Sequence, residues 1–201
     1  MEEEKMKQAK PKFHIEAQQH WPSFTHYGTE LSLEHLDAHR VTFTGQKHSF
    51  QFVVTYGLHC FAKDEDGGTE PDAALAYSDG RETRPFSLER YELSKRLPEI
   101  VSSLSDKDIQ ELGGGRDKYR VIEIENAETG EVLEYKVGFC CFKENRLLRL
   151  HVTTAFIERR TDLKQGQHRR TSIFQIGMEL SKRPRREGFI PKEAQNKQRE
   201  K

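Results

Sequence analysis

A chain of 201 residues with 33 basic and 33 acidic side chains has no formal net charge, which argues against a protein that coats nucleic acid over its whole surface. Hydrophobic residues make up only 34% of it, enough for one core and not two. Cys60, Cys140 and Cys141 form no CxxC pair or disulfide framework, and no apolar run approaches the ~20 residues of a membrane helix.

Residues 1–12 are charged, lack the apolar stretch of a signal peptide, and read as a mobile tail. A cytoplasmic, non-membrane protein with thiols kept as small hydrophobes is expected. A single domain should span 13–181, irregular over 13–40. Trp21-Pro22 and Tyr27-Gly28 break that first part, and a short helix is expected over Leu33 to His39 behind Ser32. His35 and His39 would then share a helical face. HLDAH lacks the glutamate placement of HExxH and has no obvious third ligand, so no metal or other cofactor is expected.

Val41–Thr44 reads as a strand and Gly45-Gln46 as a turn. HSFQFVVTY then alternates Phe50, Phe52, Val54 and Tyr56 against Ser49, Gln51, Val53 and Thr55, and continues past Gly57 to Ala62. The acidic run from Lys63 is a loop. Beyond Pro85-Phe86, Ser87 is placed to cap a helix with Leu88, Tyr91, Leu97, Ile100, Val101 and Leu104 on its apolar face. Pro98 predicts a kink or two short helices, and Gly113-Gly114-Gly115 closes the segment rather than cradling phosphate. Four strands should follow, from Lys118, Val132, Leu147 and Ser172. Their order predicts an α+β fold with a single antiparallel sheet of about five strands and a helical segment on one face. From Lys182 to Lys201 the charge is mainly basic, as in a solubilising flexible tail or a loose phosphate grip.

Chemistry concentrates in one group. The loop YSDGRETRPF leads into a helix whose first turn carries Arg90 and Tyr91, and His59 ends the long strand beside it. Imidazole, guanidinium and phenol are the groups that metal-free RNA cleavage needs: a base for the 2′-hydroxyl, a cation for the phosphorane and an acid for the leaving oxygen. His59, Arg90 and Tyr91 are therefore the candidate catalytic residues, with Arg81, Arg84, Arg169 and Arg170 as phosphate or nucleic-acid contacts. A structural alternative stays open, in which Asp79 pins the loop through Arg81 or Arg90 and Tyr91 is a core residue. The strand from Leu147 adds His151 and Thr153 on one face with Arg149 beside them.

HCF at His59, YSDGR…PFSLERYELSKRLPEI from Tyr77 and LRLHVTTAFIERR from Leu148 together resemble an uncharacterised family of prophage- and plasmid-borne bacterial proteins. Some of its members are labelled stationary-phase or heat-shock related. The order of strand, helix and antiparallel strands also looks like the small RelE- and barnase-like ribonuclease toxins. That likeness implies a mobile-element accessory protein that cleaves or binds RNA. The alternative is a non-enzymatic module for a cognate protein partner in stress adaptation or phage–host conflict, with Arg159 to Arg170 as contact surface.

Overall fold

The alternating Phe/Val/Tyr strand predicted from His48 is the spine of the computed structural model, which describes residues 20–63, 73–80, 82–106, 109–111, 117–125, 132–144, 146–158 and 169–182. Two short strands, β1 (Phe24–His26) and β2 (Thr29–Leu31), form a hairpin whose turn holds Tyr27 and Gly28 at positive φ. β3 (His39–Thr44) and β4 (Ser49–His59) form the next hairpin. A small ribbon, β5 (Ala76–Ser78) with β6 (Thr83–Pro85), leads to helices α1 (Leu88–Ser94) and α2 (Leu97–Ser102). Then come β7 (Ile109–Glu111), β8 (Asp117–Glu125), β9 (Val132–Glu144), β10 (Leu147–Glu158), β11 (Arg169–Thr171) and α3 (Ile173–Lys182).

The α+β class stands, but the single antiparallel sheet of about five strands does not. Three sheets are present among the described residues, and the largest has seven strands in the order β11-β7-β8-β9-β10-β4-β3. One of its pairings is parallel: β10 runs alongside β4, with Leu150 opposite Val54 and Val152 opposite Tyr56. The connection between these two strands carries α1 and α2 together with β5 to β9, well over the dozen residues that a parallel pair requires. Strand patterns read singly carry no information about that long-range pairing.

Two more expectations are corrected. The strand expected from Ser172 is helix α3, opened by a reciprocal capping box. The Gln175 N–H donates to Ser172 Oγ (3.2 Å), and the Ser172 N–H donates to Gln175 Oε1 (3.1 Å). The helix expected over Leu33 to His39 is only a 3-10 turn at Glu34–Leu36. Ser32 Oγ accepts from the Glu34 N–H, Leu36 is buried, and His39 is already paired with Val54 in β3. The chain must be extended there to join the sheet.

The period-2 pattern sets the core. Phe52, Val54, Tyr56 and Leu58 of β4, Tyr135, Val137 and Phe139 of β9, and Leu148, Leu150, Val152 and Ala155 of β10 face one side. Tyr91 of α1, Leu97 and Val101 of α2, and Ile173, Ile176 and Leu180 of α3 join them in that core. Each leucine, isoleucine, valine and phenylalanine among them contributes roughly 1.5–3 kcal/mol by leaving water. None of the three cysteines is in a disulfide; Cys140 and Cys141 take opposite faces of β9, Cys141 toward the core. Pro98 sits at the start of α2, so the two short helices form as expected.

Candidate functional site

The segment before α1 is stitched to the end of β4. Ala62 bridges Phe86, the Ser87 N–H donates to the Phe61 carbonyl (2.8 Å), and the Lys63 N–H donates to the Pro85 carbonyl (2.9 Å). Ser87 Oγ then accepts from the Arg90 N–H (3.3 Å), which caps α1 and fixes where its first turn points. Arg90 Nη1 consequently reaches the carbonyl oxygens of His59 (3.1 Å) and Ala62 (2.6 Å). His59 and Arg90 are thus brought together, with the guanidinium bracing the turn that ends the long strand.

Tyr91, one position on, faces the other way. It is only 6% exposed, with its ring against Phe86 (5.6 Å) and His35 (5.8 Å). Arg84 lies on β6, and its Nε and Nη2 both donate to Glu82 (2.9 Å). Asp79 pins its turn through the Glu82 N–H (2.9 Å) rather than through Arg90. Arg169 and Arg170 lie on β11, the sheet edge five places from β4, opposite Glu111 and Gln110. Arg81, Arg159 and Arg160, the expected tail at 1–12, all of the expected tail at 182–201 except Lys182, and Gly113 to Gly115 are outside the described residues; Lys182 is the last residue of α3. The helical His35/His39 pair does not form: His35 Nε2 bonds Ser94 Oγ (2.7 Å) and His39 Nδ1 bonds the Asp37 carbonyl (3.0 Å). No group of three or more potential metal ligands occurs among the described residues.

Sequence reading passed over two residues that complete a surface around Arg90. On the sheet face opposite the core, Phe156 of β10 is paired with Lys136 of β9. Arg90 Cζ and Lys136 Nζ each lie 6.0 Å from the centroid of the Phe156 ring, within cation–π range. All three side chains are partly exposed, as is His59. The alternation in VLEYKVGFCCF and LLRLHVTTAFIER does place Lys136 and Phe156 on non-core positions. Only the register, which shifts between Val152 and Thr154, shows that they meet.

The same face carries a buried polar row further along. His151 Nδ1 and Thr55 Oγ1 are 2.9 Å apart, and Arg149 Nη2 donates to Glu144 Oε2 (2.7 Å). Arg149 and His151 are 5% and 4% exposed, and burial lowers the pKa of the guanidinium while Glu144 opposes the shift. Gly57 makes room here: a Cβ on it would meet the Thr153 carbonyl at 3.1 Å and His151 Nε2 at 3.4 Å.

The YjaZ family model matches residues 23–180. Protein YjaZ of Escherichia coli (strain K12) is 36% identical over 145 residues, covering 68% of this chain and 79% of that protein. The chain belongs to the YjaZ family. No solved structure matches it.

Proposed function

We propose that this YjaZ-family protein binds single-stranded RNA on the sheet face opposite its core, with Phe156 as a base platform and Arg90, Lys136 and His59 around it. The observation that carries this is the pair of cations, each 6.0 Å from one partly exposed aromatic ring. An aromatic face stacks any base, worth ~1–3 kcal/mol per base, and adjacent cations hold the backbone with a salt-dependent affinity. Zero net charge suits such a local patch better than a general basic coat. The setting proposed with it is RNA handling under stress by a mobile-element accessory protein.

Cleavage in the manner of the small ribonuclease toxins would use His59 on the 2′-hydroxyl and Arg90 on the phosphorane. It would also ask Tyr91 for the leaving-group proton, and a ring buried between Phe86 and His35 favours binding without cleavage. Fluorescence anisotropy with a labelled single-stranded RNA, followed by a gel of the same RNA, separates the possibilities. Salt-sensitive binding of intact RNA is expected, weakened about tenfold by Phe156→Ala for a loss of ~1.4 kcal/mol. RNA degraded by the wild type and spared by His59→Ala/Arg90→Ala would establish a ribonuclease instead. Absence of binding at low salt would leave the protein-binding module.

A further inference from the structure

Among the described residues β3 is one edge of the seven-stranded sheet, and its pairing with β4 determines which of its main-chain groups face outward. The Gly45 N–H donates to the His48 carbonyl (2.9 Å) next to the turn, so Gly45 and His48 are a hydrogen-bonded pair. Bonded and non-bonded pairs alternate along an antiparallel ladder. The register runs without a break from Thr44↔Ser49 to His39↔Val54. Arg40, Thr42 and Thr44 are therefore the non-bonded positions, whose N–H and C=O groups point away from β4.

Such an edge is normally blunted by proline, a bulge, lysine or an inward charge. β3 is HRVTFT, with no proline, no lysine and no bulge. Its one fully charged side chain is drawn back along β4: Arg40 Nη1 donates to Gln51 Oε1 (3.2 Å), and Gln51 Nε2 donates to Thr42 Oγ1 (3.3 Å). Arg40, Thr42 and Thr44 are all exposed.

We infer that β3 pairs with β3 of a second copy of this chain, antiparallel about a two-fold axis at Thr42. This register is the one that pairs all three outward-facing positions; a one-residue shift sets them against inward-facing positions, and a two-residue shift leaves one of them unpaired. Thr42 stands opposite Thr42 of the partner subunit, and Arg40 opposite the partner's Thr44. Every outward-facing residue then meets another outward-facing residue, and each such pair exchanges both of its N–H···O=C bonds. No like charges face each other, a Thr–Thr pair sits at the centre, and Val41 and Phe43 extend the core face across the axis. Two sheets become one continuous sheet. The chemistry that recognises this edge is another copy of itself, and an extended peptide of a different protein is the competing occupant.

The test uses the full chain in sedimentation velocity across a dilution series, with two substitutions that exploit the geometry. The wild type is expected to dimerise reversibly. Thr42→Pro removes an N–H that points outward and is not needed within the fold, so it should be monomeric with the melting temperature largely retained. Thr42→Cys should form an inter-subunit disulfide under mild oxidation, because directly opposed bonded positions lie ~5.5 Å apart at Cα. Thr44→Cys, facing Arg40 of the partner subunit, should not. A wild type monomeric at every concentration overturns the inference, as does a folded Thr42→Pro that still dimerises, or equal cross-linking at both positions.

Discussion

Arg149 and Glu144 form an ion pair in which both side chains are almost wholly out of water, 6% and 9% exposed. Arg149 Nε and Nη1 have no hydrogen-bond partner among the described residues, where the guanidinium depends on one carboxylate for its compensation. Removing one member of a buried pair costs ~3–5 kcal/mol, whereas replacing both by apolar groups of similar size is often neutral. Glu144→Gln should therefore lower unfolding stability by about that amount in urea titrations, and Arg149→Met/Glu144→Leu should recover most of it. His35 gives a second prediction at this scale. Burial lowers its pKa from the ordinary 6.5, with Lys95 adding to the effect and Asp37 and Glu92 opposing it. The folded state therefore favours neutral imidazole. Its contribution is complete above about 6.5 and is lost as pH falls through the lower folded value. Exposed His20 acts in the opposite sense, since its hydrogen bond to Asp37 raises its pKa. Melting curves taken on acidification should show a smaller loss for His35→Gln than for the wild type. An identical pH dependence in both would remove His35 from the account.

Elements were legible where a local signal matched the tertiary demand. Ser87 caps α1, Pro98 divides the helical segment, and the strands from Lys118, Val132 and Leu147 form close to their expected starts. SIFQIGMEL reads as a strand because it is rich in strand-forming residues, yet it folds as α3. The spacing of Ile173, Ile176, Gly177 and Leu180 is nevertheless helical, and Ser172 with Gln175 announces the cap. Gly177 shows how closely that helix meets the sheet, since a Cβ on it would lie 2.7 Å from the Phe50 ring. Gly177→Ala, favourable by ~1 kcal/mol in an isolated helix, should instead destabilise the protein by ~1–3 kcal/mol through overpacking. Chemical denaturation of this variant tests whether α3 packs as described; a gain in stability would contradict it.

At the scale of the whole molecule, the sequence brought His59 and Arg90 to one place because the strand and the helix cap are both local features. It could not place Arg169 and Arg170, which depend on strand order, nor Lys136 and Phe156, which depend on register. The long-range pairing β10–β4 and the register of the β9–β10 hairpin create the Phe156 surface, and RNA binding there is the central functional claim. Ultraviolet cross-linking of a single-stranded oligoribonucleotide to the full chain, with the attached peptide mapped by mass spectrometry, tests it most directly. The expected cross-link falls on β10 at Phe156 and disappears in Phe156→Leu while the fold remains intact. Cross-links confined to other segments, or none under low-salt conditions, would contradict it.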